Sequence, residues 1–153
     1  MYTAQFAGVT VSAQQDLFEI TAPSNAVVIL HQVVISQSSE TGDAQEEGLV
    51  LHIKRGADTP GSGGAAATPS PLQAGFGAAG TSVAVNNTGK AAGASVETLH
   101  SEAWNVRAPW IWLPPPEGRI VLSPDMVATV ELATTPNDAI TACGTVVFEE
   151  IGG

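Results

Sequence analysis

The stretch GLVLHIKR (48–55) alternates without a break: Leu49, Leu51 and Ile53 point one way, Val50, His52 and Lys54 the other. A period of two is the mark of an extended strand with one face toward a core. The pattern recurs along the chain. By simple alternation AVVILHQVVIS (26–36) puts Val27, Ile29, Val33 and Ile35 on one face. MVATVELAT (126–134) does the same with Met126, Ala128, Val130 and Leu132, and AITACGTVVFEEI (139–151) with Ile140, Ala142, Val146 and Phe148. QFAGVTV (5–11), DLFEIT (16–21), TSVAV (81–85), SVETLHSEAWNV (95–106) and RIVL (119–122) complete a set of eight or nine strands. SVETLHSEAW also has helical propensity and is the most ambiguous of these segments.

Turn-forming residues separate the strands: PSN at 23–25, SETGD at 39–43, NNTG at 86–89, SPD at 123–125 and TPND at 135–138. No amphipathic helix of useful length interrupts them. At 153 residues the chain is of single-domain size and long enough to bury a core. The expectation is one all-β domain, a β-sandwich of the jelly-roll kind.

One segment breaks the rhythm. GADTPGSGGAAATPSPLQAGFGAAG (56–80) is built almost wholly from Gly, Ala, Pro, Ser and Thr. A loop this long in a compact domain is either mobile or functional. It reads as a surface loop, or as an arm that becomes ordered against a neighbouring subunit. Leu72 and Phe76 are its two apolar anchors.

Charge narrows the function classes. Fifteen acidic residues against five basic ones give a net charge of -10. Such a chain is repelled by nucleic acid and by anionic membranes, so neither is expected as a partner. A single cysteine, Cys143, leaves the fold independent of internal disulfides and reads as a small buried residue. The N-terminal MYTAQFAGVTVSAQQ lacks the basic-then-apolar pattern of a secretion signal, and no apolar run approaches a membrane span.

Motifs for chemistry fail on context. GFGAAG (75–80) fits the dinucleotide-binding glycine pattern, but PSPLQA precedes it and the strand-like TSVAV follows, where a strand and then a helix are required. TGKAAG (88–93) lacks the first glycine and the metal-binding hydroxyl of a phosphate loop. His31, His52 and His100 lie singly in separate strands, without the close pairing of a metal site. Asp43, Glu46 and Glu47 in GDAQEEG read as a solvated acidic turn. Glu149 and Glu150 are adjacent on a strand and point to opposite faces, so they form no acid–base pair. Asn86-Asn87-Thr88 reads as a hairpin turn despite its glycosylation pattern. No catalytic residue, metal or cofactor is expected.

The costly residues are aromatic. In WIWLPPPEGR (110–119), Pro114, Pro115 and Pro116 cannot donate to a ladder and stiffen the chain from Leu113 onward. Trp110 and Trp112 share a side if the stretch is extended. Trp104 belongs to the preceding segment. Tryptophan serves a core or an interface hot spot equally well. The expectation is a rigid rim whose Trp side chains help seal a contact between chains, with Arg119 free to pair with a carboxylate.

Three segments carry a resemblance: the arm with Ser62, Gly63, Gly64, Thr68 and Pro69; EAWNVRAPWIWLPPPEGR with Trp104, Asn105 and Val106; and the ending GTVVFEEIGG with Glu149 and Glu150. In these the chain resembles the accessory virion proteins of tailed bacteriophages, above all the capsid decoration, or cement, proteins. The resemblance implies a non-enzymatic protein made in the host cytoplasm that binds the outside of a lattice of major capsid protein. It also implies a homo-oligomer, a trimer in the favoured case. Alternatives from other classes are a carbohydrate- or receptor-binding sandwich with Trp104, Trp110 or Trp112 stacked on sugar, a cupin-type enzyme, and a tail or neck component.

Overall fold

The computed structural model describes residues 1–39 and 47–152. Asp43, Glu46 and the SETGD turn beyond Ser39 lie outside the described residues. The chain folds as two antiparallel sheets packed face to face, an all-β sandwich.

Sheet A is built around two long strands, β3 (Ala26–Gln37) and β12 (Ile140–Gly152). On the far side of β12 lies β1 (Tyr2–Val11), followed by the short β6 (Ser70–Pro71). On the far side of β3 lie two three-residue strands in succession, β9 (Trp110–Trp112) and β10 (Ile120–Leu122). Sheet B runs in the order β5 (Ala65–Ala66), β7 (Ser82–Asn87), β2 (Gln15–Thr21), β11 (Val127–Leu132), β4 (Gly48–Arg55) and β8 (Glu97–Asn105). The ambiguous 95–106 segment is therefore a strand. A single 3-10 turn, Pro116–Gly118, is the only helical element among the described residues.

The core sits between the sheets. Phe18, Leu30, Ile35, Leu49, Leu51, Ile53, Leu122, Leu132, Ile140 and Phe148 are buried almost completely. Phe6 packs on Phe18 with ring centroids 5.2 Å apart, and Tyr2 stacks on Phe148 at 5.8 Å. Gly144 makes the first pair possible, because a Cβ there would meet the Phe6 ring and approach Phe18 to 2.9 Å.

The alternation in β4 and β12 is observed as expected, but β3 changes phase. Val28, Leu30, Val33 and Ile35 are buried, whereas Val27 and Ile29 face outward. The cause is a β-bulge. Across the ladder Val147 pairs with Gln32 but Phe148 pairs with Leu30, which leaves His31 as an extra residue. One inserted residue exchanges the two faces for everything beyond it.

The arm is a surface segment, and it is ordered along its own chain. Thr59 bridges Ala92 and Ser62 bridges Gly89, with Ser62 N–H to Gly89 O at 2.8 Å and the reverse bond at 2.9 Å. The chain then runs through β5 along β7, crosses to the other sheet and pairs as β6 with β1. It thus laces one edge of the sandwich. NNTG is not a hairpin turn either. Asn86 and Asn87 end β7 and are buried. Asn86 adopts a φ of 58°, a left-handed conformation that asparagine tolerates.

Close approach of the arm to β7 demands glycine. A Cβ on Gly64 would run into the Val85 carbonyl and the Asn87 side chain. Gly64→Ala is therefore expected to lower unfolding stability by about 1–3 kcal/mol, measured by urea denaturation.

Candidate functional site

Three places in the fold concentrate polar or aromatic side chains. The first lies beneath the arm, on the outer side of sheet B. Asp16, Glu19, Glu131 and Asn87 are all buried there, although strand residues facing away from a core are ordinarily exposed. The arm and the segment after β7 that pairs with it supply partners for them, together with Lys54. Glu19 Oε2 accepts from the Gly61 N–H at 2.8 Å and from Asn87 Nδ2 at 2.9 Å. Asp16 Oδ2 accepts from the Ala91 N–H at 2.6 Å. Glu131 is ion-paired with Lys54 and, at 2.6 Å, with Lys90, and His52 Nδ1 lies 3.5 Å away. Two of the chain's five basic residues thus converge on one carboxylate.

Burial pushes Asp16 up from its usual 3.8 to about 6; the Ala91 N–H opposes this, and Glu131 and Glu19 add to it. Burial also pushes Glu131 upward, but hydrogen bonds and charge from Lys54 and Lys90 outweigh it and hold that carboxyl below its usual range. The cluster's carboxylates are buried while Lys54, His52 and Lys90 stay partly exposed, and the Gly61–Glu19 bond fastens the arm to it. Sequence reading missed it, although charged residues at Asp16, Glu19, Lys54 and Glu131 inside otherwise apolar strands were its signal.

The second place is the opposite edge, where β8 lies over β9 and β10. Trp104, Trp110 and Trp112 are 3%, 4% and 7% exposed, so their side chains belong to this chain's own interior. Trp110 and Trp112 do share a side, and the intervening Ile111 is 54% exposed. β9 pairs Trp110 with Ile35 and Trp112 with Val33, which aims both indoles inward between β3 and β8. There Trp110 Nε1 donates to Glu102 Oε2 at 2.9 Å, and Trp104 Nε1 donates to the Ala108 carbonyl at 2.6 Å. His100 lies against both rings, with centroids 6.0 and 6.4 Å away, and is 3.2 Å from Glu102 Oε2. The Trp110 and His100 hydrogen bonds hold the Glu102 carboxyl below its usual range. The indoles seal the open edge of the sandwich.

Beyond the indoles the chain turns outward. Leu113 is 67% exposed, Pro115 is extended at φ -60° and ψ 162°, and Pro116 opens the 3-10 turn. A groove of about 390 Å³ runs along this edge, between Leu99 and His100 of β8 and Ile111, Leu113 and Pro114. Arg119 has no carboxylate partner among the described residues, and its buried Nε makes no hydrogen bond. Leu72 and Phe76 are on the other edge of the sandwich, 55% and 54% exposed, and do not approach the Trp segment.

The third place is the outer face of sheet A. Cross-strand pairs Ile111–Val34, Val121–Ile29 and Ile151–Val27 line it, and the first residue of each pair is about half exposed. Glu149 is ion-paired there with His31 at 3.2 Å. Glu150 turns instead to the arm's end and accepts from Thr81 Oγ1 at 2.6 Å and from the Gly80 and Thr81 N–H groups. Cys143, expected in the core, is half-buried beside a shallow dent on this face. Among the described residues no group of His, Cys, Asp and Glu is arranged to hold a metal ion.

Two outcomes follow from these placements. Trp110→Ala is expected to cost about 3–5 kcal/mol of unfolding free energy as a core truncation; a merely exposed ring would cost within about 0.5 kcal/mol. Because folded Asp16 holds its proton more tightly than the unfolded chain does, its contribution to stability is fullest below pH 3.8 and is lost as pH rises to about 6. Asp16→Asn is therefore expected to gain on the wild type by about 3 kcal/mol between pH 4 and 7, read from urea midpoints across pH.

Comparison with known proteins adds no family: no family model, curated protein or solved structure matches the chain.

Proposed function

We propose that this chain is a non-enzymatic structural protein of a phage virion, a jelly-roll-like sandwich that docks on the outside of the capsid lattice and reinforces it. The observation that carries the reading is the outer face of sheet A. It presents Ile111, Val121 and Ile151, backed by Val27, Ile29 and Val34, in a chain of net charge -10. The only carboxylates in the strands of this sheet are Glu149 and Glu150, and both have partners within the chain. Its two long strands run about 40 Å with shorter strands on either side, so the face spans on the order of 700 Å², near the ~800 Å² that each partner buries in a standard interface. A nearly neutral face with an apolar patch where β9, β10 and the end of β12 flank β3 suits another protein surface. Repetition over a lattice multiplies modest contacts into high avidity. The resemblance to capsid decoration proteins supplies the identity of that surface.

Sugar stacking is less well supported. It asks for exposed indole faces, and the three indoles point into the chain's own core.

Co-sedimentation with shells assembled from the cognate major capsid protein tests the proposal. The wild type is expected to pellet with shells. The double variant Val121→Asp/Ile151→Asp is expected to lose binding by more than about tenfold while staying folded, since both positions are exposed. A wild type that stays in the supernatant, or a variant that pellets equally, overturns the reading.

A further inference from the structure

We infer that the groove beside β8 and β9 takes a lysine side chain of a partner protein, its alkyl stem along Leu99, Ile111 and Leu113 and its ammonium on Glu102. The groove is a different surface from the outer face of sheet A, and the inference holds or fails without the capsid reading.

The walls of the groove follow from local structure. Across the ladder of β4 with β8, Ile53 pairs with His100 and Lys54 with Thr98, which leaves Leu99 as an extra residue. The bulge releases Leu99 from the ladder and leaves it exposed. On the facing side, Ile111 points outward between the inward Trp110 and Trp112. Leu113 and Pro114 continue past it, and the prolines hold this wall extended. About 390 Å³ stands open between the two walls, within the range of small ligand pockets.

Glu102 sets the sign of what enters. It is the only carboxylate lining the groove, neither Lys nor Arg lines it, and its side chain is half-exposed. Trp110 Nε1 and His100 Nε2 both donate to its Oε2, at 2.9 and 3.2 Å, and these bonds keep the carboxyl ionised. Oε1 makes no hydrogen bond among the described residues. The two donors fix the carboxylate before a ligand arrives, so binding needs little ordering there. An anion is repelled, and a purely apolar group covers the charge without pairing it. A cation on an apolar stem suits the walls and the carboxylate together.

Geometry selects lysine over arginine. Oε2 already accepts two hydrogen bonds, its full complement. A guanidinium fork engages both oxygens of a carboxylate, whereas an ammonium is a point charge that needs only Oε1. A second copy of the chain is a poor source, because its two lysines, Lys54 and Lys90, are both ion-paired with Glu131 on sheet B. The lysine therefore comes from a different protein.

Titration with Nα-acetyl-lysine N-methylamide, read by NMR at the Trp110 and Trp112 indole N–H groups, tests this without capsid shells. The wild type is expected to give saturable shifts at millimolar probe. The norleucine analogue, which keeps the stem and lacks the ammonium, and the arginine analogue are each expected to bind about fivefold more weakly. Glu102→Gln retains an oxygen for Trp110 and is expected to lose about fivefold in affinity. Leu113→Ser leaves Glu102 in place at an exposed position and is expected to lose about two- to fivefold. Glu117→Gln removes an exposed carboxylate outside the groove and is expected to bind as the wild type does. Unchanged melting verifies each fold. A wild type without saturable shifts, equal binding of either analogue, or wild-type affinity in Glu102→Gln or Leu113→Ser overturns the inference. An equal loss in Glu117→Gln overturns it too, since net charge alone then attracts the probe.

Discussion

The ladder between β3 and β12 decides where everything else goes. The other strands of sheet A build outward from these two: β9 and β10 on β3, β1 on β12, and then β6 on β1. Eleven residue pairs hold them, Ala142–Gln37 through Gly152–Ala26, and the bulge at His31 lies within that run. The bulge sets which side chains enter the core. With it, Val28 and Leu30 join Val33 and Ile35 inside, and Val27 and Ile29 are turned out beside Val121 and Ile151. The bulge thus decides which of the apolar residues in AVVIL face outward and which enter the core. His31, the residue that makes the bulge, also supplies the partner for the one carboxylate on that face, Glu149.

This explains which parts of the fold were legible in the sequence. β4 and β12 alternate with single-sided burial, and their inward residues follow from period two alone. β3 alternates just as well, yet its phase is set by a register defect in the ladder with β12, more than a hundred residues away in sequence. The arm is illegible for a related reason. Its composition reads as a flexible linker because nothing within 56–80 can hold it. Its anchors are Glu19, Glu150 and the ends of β1 and β7, all supplied by other segments. The Trp side chains posed the same difficulty. Spacing placed Trp110 and Trp112 on one side, but only the pairing of β9 with β3 shows that this side is the interior.

Charge is partitioned between the sheets. Sheet B carries Asp16, Glu19, Lys54, Arg55, Glu97, Glu102 and Glu131 in its strands, and sheet A only Glu149 and Glu150. On sheet B the buried carboxylates need desolvation to be offset by specific bonds: the arm supplies the Gly61 N–H, and the segment after β7 that pairs with the arm supplies the Ala91 N–H and Lys90. Ionic chemistry on one sheet therefore fastens the arm. Asp16 gains least from this, with a single backbone donor against two neighbouring carboxylates, which is why its carboxyl is the one driven upward.

Fastening the arm has a geometric result at both edges. Laced across β7 and β1, the arm closes one edge of the sandwich with backbone pairing and carries Leu72 and Phe76 outward on its far side. The other edge has no arm and is closed by side chains, the indoles of Trp110 and Trp112 beneath β8. Side-chain closure seals a core but leaves the strand edge of β8 unpaired and a groove above the rings. The two edges are thus unlike. One projects Leu72 and Phe76 into solvent, and the other holds Leu99, Ile111 and Leu113 around a groove that Glu102 also lines. Backbone pairing fixes the arm edge, whereas the β8 edge depends on the packing of the indoles against β3, so truncating an indole loosens one edge and leaves the other in place.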